Sequence, residues 1–416
     1  MEILVINAGS SSVKFAVFDF DSLSPIARGL LDWGGDARQA TLTLSPQNGK
    51  EIRRQLDVPD YRAGVVEAMR VLSELEIVGK DLAGKGDEQG NRSLQIRVVG
   101  HRLIHGGEDI RRPVRIDADM KKTIEGVAHL APLHIPAGLQ AIEAAEDALP
   151  EAMQVGLFDT AFFGDIPPCA YLYPVPYEWY EDWGIRRFGF HGTSHAYCTD
   201  RAAEMMGAEG LLDDDKPVVK LVICHLGQGG SATAVRDGTA VTNTMGFTPL
   251  EGFMMGTRSG TLDPGLLLYV QREHGLSVDQ LDHILHKESG LLGISGVSSD
   301  FRQVEAAAAE GHKRAQLALD VYVYRVRAMI GALAVSIGGI DALVFTGGIG
   351  ENSIWLRRQV CDGLECLGVR LDDSLNESCH ADSDIAKPES PARVFIIHTR
   401  EDLMIAREAR RLAIER

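Results

Sequence analysis

The chain contains no GxxxxGK[ST] sequence, which excludes a P-loop nucleotide site. It also lacks any CxxC pair. Its six cysteines, Cys169, Cys198, Cys224, Cys361, Cys366 and Cys379, are scattered. That spacing suits neither a zinc site nor a disulfide framework, and it points to idle thiols in a reducing compartment. No stretch approaches the roughly 18 consecutive apolar residues that a membrane span needs. Positive charge is scarce: 42 Lys and Arg face 59 Asp and Glu, a formal net charge of −17. Such a balance argues against nucleic acid or an anionic membrane as the main partner. An anionic substrate would have to be met by local basic residues. The N-terminus opens directly on a strand-like run, with no basic segment and cleavage site, so the expected localisation is cytoplasmic.

At 416 residues, two or three domains are expected. A chain of this length buries roughly 75 % of its surface. A hydrophobic content of 45 % and a charged content of 24 % are ordinary for a soluble globular enzyme. The first seventeen residues are the most telling. Ile3 to Ile6 form an apolar run, and Val13, Phe15 and Val17 alternate as a second strand. Between them lies a turn holding Asn7, Gly9, Ser10, Ser11, Ser12 and, just beyond, Lys14. The plain reading is a serine-rich hairpin. The functional reading is a phosphate cradle, in which Gly9 admits a ligand to the backbone and the hydroxyls, N–H groups and Lys14 face anionic oxygens.

Periodicity predicts helices near 61–77, 117–128, 136–148, 193–207, 263–274, 278–287, 300–336, 353–367 and 400–413. Strands are expected near 3–7, 13–19, 96–101, 153–158, 219–225, 231–236, 342–346 and 393–397. Polar, glycine-rich loops are expected at 79–92 and 207–217. Alternation of the two element types means a layered α/β protein. An approximate repeat is also present: Leu4 to Ser10 is similar to Val222 to Gln228, each an apolar strand, a polar residue and a glycine-bearing turn. Two such halves imply a cleft between them. A third glycine-rich turn, Thr346 to Ser353, follows a strand and precedes a helix, where backbone N–H groups favour an anion.

Long stretches of the chain resemble the acetate kinase family, within the sugar kinase, Hsp70 and actin superfamily. They include VGHRLIHGG (99–107), HLAPLHIPAGL (129–139), FDTAF (158–162), GIRRFGFHGTSHAY (184–197), CHLGQGGS (224–231), MGFTPLEGFMMGTRSGTLDP (245–264), GISGVSSDFR (293–302), FTGGIGENS (345–353) and EDLMIA (401–406). The resemblance runs through nearly the whole chain. It implies α/β architecture with two duplicated RNase H-like (actin-like ATPase) domains and a nucleotide cleft between them. The first domain would span 1–160, completed by a C-terminal helix at 398–416. The second, 161–397, would bind nucleotide and form a homodimer interface. The implied reaction is reversible, Mg²⁺- or Mn²⁺-dependent phosphoryl transfer from ATP to acetate, giving acetyl phosphate and ADP.

Such a transfer asks mainly for positioning and charge neutralisation. A carboxylate acceptor is already ionised at neutral pH, so no general base is needed, while cations are. Arg102 and Arg258 can each fork onto a carboxylate or phosphate; both residue types also serve as structural arginines. The resemblance assigns the acetate carboxylate to Arg102, the transferring phosphoryl to Arg258, and a donor to its equatorial oxygens to His191. It gives His134 a supporting role. His195 is expected to be structural, and His101 and His105 supporting or structural. Asp159 ends an apolar strand, where it reads either as a helix N-cap or as a carboxylate at the cleft. The resemblance places it in the active site as an acid/base; because the acceptor needs no base, the chemistry instead leads us to expect it to hold metal-bound water or to orient Arg258 or His191. Asn7 and Glu401 match the residues at the metal. For the nucleotide it assigns Ser10, Ser12 and Lys14; His225, Leu226, Gly227, Gln228 and Gly229; Asp300, Phe301 and Arg302; and Gly348, Ile349, Gly350, Glu351 and Asn352. Ile104, Leu133, Phe190 and Pro249 map to an acyl pocket, or equally to core packing.

The chain departs from the family pattern at Ile135 and Gly138, which bear on acyl specificity. It departs again at Phe163, and at Gln228 and Arg400, which bear on nucleotide and metal affinity. A propionate or butyrate kinase on the same fold is the near alternative. A nucleotide-gated binding module is the distant one.

Overall fold

The computed structural model describes residues 1–9, 12–34, 39–47, 50–58, 61–74, 95–132, 134–207 and 219–415. The loop expected at 79–92, and the one at 207–217 beyond Gly207, lie outside the described residues. The chain divides into two compact units, Met1–Ala161 with Arg400–Arg416, and Phe162–Thr399.

The first unit is built on eight strands: β1 (Glu2–Ala8), β2 (Ser12–Asp19), β3 (Pro25–Asp32), β4 (Gln39–Pro46), β5 (Ile52–Asp57), β6 (Ile96–Leu103), β7 (Val114–Arg115) and β8 (Met153–Phe158). They lie in the order β5-β4-β3-β2-β1-β6-β8-β7. β1 pairs antiparallel with β2 and parallel with β6, and β6 pairs parallel with β8. Ile3 to Ile6 are all buried, because both faces of this central strand are covered, which explains its unbroken apolar run. Strand periodicity divides the side chains. Leu4, Ile6, Val13 and Phe15 pack on one face with Ala141 and Ala144 of helix Ile135–Ala148. Ile3, Val5, Ala16, Val98 and Val155 pack on the other with Ile405, Ala406 and Ala409 of helix Glu401–Ile414. Gly100 allows that helix its close approach: a Cβ there would lie 2.6 Å from Ile405 Cγ2. Arg115 caps the helix C-terminus, donating through Nη2 to the carbonyls of Leu412 (2.7 Å) and Glu415 (2.8 Å).

The second unit carries six strands: β9 (Lys220–Leu226), β10 (Gly230–Arg236), β11 (Thr239–Asn243), β12 (Ala342–Thr346), β13 (Ser383–Asp384) and β14 (Arg393–Ile396). Their order is β11-β10-β9-β12-β14-β13. β3-β2-β1-β6-β8 and β11-β10-β9-β12-β14 are the same arrangement, an antiparallel meander followed by two parallel strands. The short sequence repeat is therefore a structural duplication. Helix Lys313–Ser336 packs on this sheet through Leu319, Tyr322, Val326 and Ile330. The single helix expected over 300–336 is two, Phe301–Ala309 and Lys313–Ser336. Gly311 takes φ +91° between them, and the His312 ring accepts from Ala315 N at 3.1 Å to start the second. β3, β4, β5, β7, β11 and β13 were not anticipated from periodicity.

Candidate active site

In the first unit the register brings Lys14, Asn7 and Arg102 side by side on β2, β1 and β6. Alternation places them on the face that also carries Val5, Ala16 and Val98, beneath helix Glu401–Ile414. Lys14 is exposed, and Asn7 and Arg102 are half-buried. Asp159 follows β8, its backbone N–H bonded to Leu103 O at 2.8 Å. Its carboxylate takes a two-pronged bond from Arg102, Nε at 3.0 Å and Nη2 at 2.8 Å, a geometry that fixes the guanidinium plane. Arg102 Nη1 lies 3.3 Å from Glu401 Oε2. Burial works against the charge on Arg102, and the carboxylates of Asp159 and Glu401 outweigh it, holding its pKa above the ordinary value. Within this unit Asp159 orients Arg102. The 3-10 turn that follows it begins at Ala161.

His101, one residue earlier, faces the opposite way. It is buried, and Gln154 Oε1 lies 2.8 Å from its Nε2. Burial pushes its pKa down to about 4, and that of His105 likewise to about 4. Both are neutral structural residues at physiological pH. Ile104 is half-buried and packs against the cluster formed by Leu103, Ile110, Ile135 and Phe158. Ile135 is fully buried in the same cluster. A Cβ on Gly138 would lie 2.7 Å from Leu103 Cδ2. His134 is exposed at the head of helix Ile135–Ala148. Ser10 and Leu133 lie outside the described residues; Ser12 begins β2, half-buried.

In the second unit the hairpin between β9 and β10 holds His225 to Gly229. His191 precedes helix Gly192–Met205 in a left-handed conformation, φ +61°, uncommon for a side-chain-bearing residue and concentrated at functional sites. Its ring stacks on that of His225, centroids 4.5 Å apart and planes 30° apart. Ser231 Oγ lies 3.0 Å from His191 Nδ1 and 2.8 Å from His195 Nε2. His225 Nδ1 lies 2.8 Å from Ser194 Oγ, which bonds Thr399 Oγ1 at 2.8 Å. Arg258 and His191 converge on Gly229: a Cβ there would be 3.2 Å from Arg258 Nη1 and 3.9 Å from His191 Cε1. Arg258 donates weakly to Pro249 O at 3.3 Å, and among the described residues it has no carboxylate partner. Burial alone lowers its pKa. A half-buried guanidinium without an acid, beside two imidazoles and a glycine hairpin, offers the chemistry that an anion needs. Gln228 O accepts from Gly256 N at 3.1 Å, tying the hairpin to the loop that carries Arg258.

The residues assigned to the nucleotide sit in varied settings. Phe301 is a core residue, 2 % exposed, with its ring edge-on to Tyr322 at 5.6 Å. Leu226 is fully buried in the same core, so only its backbone can meet a ligand. Asp300 caps helix Phe301–Ala309 by accepting from Arg302 N at 2.9 Å, and Arg302 Nη2 bonds it at 2.7 Å. Gly348 to Asn352 form a short helix after β12. Gly348 and Asn352 are exposed, Ile349 packs on the core and Gly350 is buried. Glu351 turns inward: Oε1 accepts from Gly347 N at 2.9 Å, and Oε2 lies 2.6 Å from His398 Nδ1. Phe190 is buried, and Pro249 half-buried beside Arg258. Phe163 is fully buried, edge-on to His195 with centroids 6.0 Å apart. Ser231 carried no assignment from sequence. Its place at the end of the CHLGQGGS motif was the available signal, but its two histidine partners come from another element.

The chain is similar to known proteins over nearly its whole length. A family model described as the Acetokinase family matches residues 2–407. An acetate kinase from Microcystis aeruginosa is 45 % identical over 415 residues, covering 98 % of each chain. A crystal structure of Porphyromonas gingivalis acetate kinase superposes with a TM-score of 0.88 at 39 % identity, covering 100 % of each chain. A propionate kinase from Francisella tularensis superposes with a TM-score of 0.86 at 35 % identity, covering 98 % of each.

Proposed function

Because this chain belongs to the Acetokinase family, we propose specific roles for its residues in the reversible transfer of a phosphoryl group from ATP to acetate. It is a phosphotransferase with a carboxyl group as acceptor, of acetate kinase type, with two actin-like domains. The observation that carries the assignment of roles is the convergence of His191 and an acid-free Arg258 on Gly229. Acetate is an anion at neutral pH, so it attacks the γ-phosphorus in line without a general base. What opposes reaction is charge. Arg258 and His191 stabilise the equatorial oxygens of the γ-phosphoryl group while its phosphorus bonds the acetate oxygen and its bond to the bridging oxygen breaks, the electron pair leaving with ADP. Arg102, held in plane by Asp159, binds the acetate carboxylate.

Asn7 and Glu401 offer hard oxygen donors for Mg²⁺ or Mn²⁺. Among the described residues there is no group of three or more His, Cys, Asp or Glu that could hold a metal. A site of few protein ligands suits Mg²⁺, which keeps water and substrate phosphates as its remaining ligands. When bound, the ion neutralises phosphate charge. Ser12, Lys14, the His225–Gly229 hairpin and exposed Gly348 and Asn352 are the residues proposed to meet the nucleotide. The enzyme works as a homodimer in this reading. Its support is helix Pro264–His274, which buries no residue yet exposes Leu266, Leu268 and Tyr269, and the outward Leu317 and Tyr324 of helix Lys313–Ser336. Six free cysteines favour the cytoplasm.

Arg102→Ala tests the acceptor assignment. The KM for acetate should rise at least tenfold while the KM for ATP holds, about 1.4 kcal/mol or more of carboxylate binding. An unchanged acetate KM would remove Arg102 from that role. A second reading, preference for propionate, has the Francisella structure in its favour. One methylene is worth about 1–3 kcal/mol in an apolar pocket, so kcat/KM across acetate, propionate and butyrate separates the two.

A further inference from the structure

Ser231 occupies a position that the reaction as described does not use. It sits on β10 opposite His225 in register and is fully buried. Its Oγ lies 2.8 Å from His195 Nε2, 3.0 Å from His191 Nδ1 and 3.4 Å from Phe190 O. A hydroxyl has one proton to give and two lone pairs. The protonation of the two rings therefore decides which way the chain of bonds runs.

We propose that Ser231 is a positioning residue: it accepts from His195 Nε2–H, donates to His191 Nδ1, and so keeps the proton of His191 on Nε2. The direction follows from His195. Its ring is fully buried, and burial with His225 nearby holds it neutral, so only one of its nitrogens is protonated. Its Nδ1 is buried with no hydrogen-bond partner. A proton there would be an orphaned buried donor, costing about 1–3 kcal/mol, and orphaned buried N–H groups are rarer than orphaned acceptors. The proton therefore sits on Nε2 and points at Ser231. The serine proton then has two acceptors in reach, His191 Nδ1 at 3.0 Å and Phe190 O at 3.4 Å; the shorter contact takes it, and His191 Nε2 becomes the N–H donor. The stack on His225 fixes the plane of the ring. A histidine meant to donate to phosphoryl oxygen needs its second nitrogen pinned in this way. The inference rests on the proposed role of His191 as that donor.

The test uses the full chain labelled with ¹⁵N-histidine, with the His191 signals assigned by their loss in His191→Gln. The expected spectrum shows His191 protonated at Nε2 and bare at Nδ1. Ser231→Ala should abolish that preference and lower kcat on the order of tenfold to a hundredfold, the usual effect of losing a histidine's orienting partner, while KM for acetate and ATP stays put. A His191 protonated at Nδ1, or an unchanged tautomer in Ser231→Ala, overturns the proposal. His195→Gln retains an amide donor and should keep more kcat than His195→Phe; equal losses also overturn it. Full activity in His191→Gln would instead remove the phosphoryl-donor role, and the spectrum reports the tautomer separately from that outcome.

Discussion

Replacing Asp159 by asparagine keeps the shape of the side chain and removes the charge facing Arg102. The pair is well shielded: the Asp159 side chain is 2 % exposed and that of Arg102 16 %. Removing one partner of such a pair costs about 3–5 kcal/mol, because the other charge stays buried and uncompensated. Two features reduce that figure here. Glu401 remains 3.3 Å from Nη1, and the asparagine carbonyl still accepts one of the two bonds. The expected loss is about 2–3 kcal/mol. A double-mutant cycle with Arg102→Met isolates the pair, and the coupling should fall at about 1.5–3 kcal/mol. A global melt would mix two units and is poorly defined, so the readout is native-state hydrogen exchange at the amides of β6 and β8. Coupling below about 0.5 kcal/mol would refute the claim that Asp159 holds Arg102 in place.

Gly100→Val should force helix Glu401–Ile414 away from β6, since the first added carbon already meets Ile405 Cγ2 at 2.6 Å; the loss is about 1–3 kcal/mol, read by hydrogen exchange, together with a raised KM for Mg-ATP as Glu401 shifts. His101 and His105 are held neutral, with pKa values down at about 4 against an ordinary 6.5. The unfolded chain therefore binds more protons than the native one between those values, and stability contributed at neutral pH drains away as pH falls from 6.5 through about 4, of order 3 kcal/mol per histidine; urea titrations at stepped pH should show the slope, and His101→Gln should flatten it. Phe301→Ala should cost about 3–5 kcal/mol in the second unit without altering KM for ATP; a raised KM at unchanged stability would return Phe301 to the nucleotide.

The hairpins, the duplication and the parallel strands were readable because each is a local pattern: Ile3 to Ile6 before a glycine turn, Val222 to Leu226 before another. β3, β4 and β5 were passed over. β4 alternates buried and partly exposed residues through Ala40, Leu42 and Leu44, a pattern that periodicity can show. β5 buries only Leu56, and apart from Ile52 the rest of its run is polar, a weak signal that antiparallel pairing with β4 overrides. Arg102, Asp159 and Glu401 were each named from motifs, yet their mutual bonds depend on the β6–β8 register and on where the last helix packs, neither of which sequence spacing encodes. The burial of Leu226 and Phe301 in the core and of Ile135 beneath β6 is set by tertiary packing, which the motifs around them do not spell out. Ser231 escaped notice because a lone serine in a strand means nothing until two imidazoles from another element close on it.

ADP release should be followed in the presence of ATP and Mg²⁺, with and without acetate, while hydroxylamine traps any acyl phosphate. ADP formed only with acetate, and matched mole for mole by acyl hydroxamate, is the predicted result. ADP released at the same rate without acetate, or without hydroxamate, would contradict phosphoryl transfer to a carboxyl group by this chain.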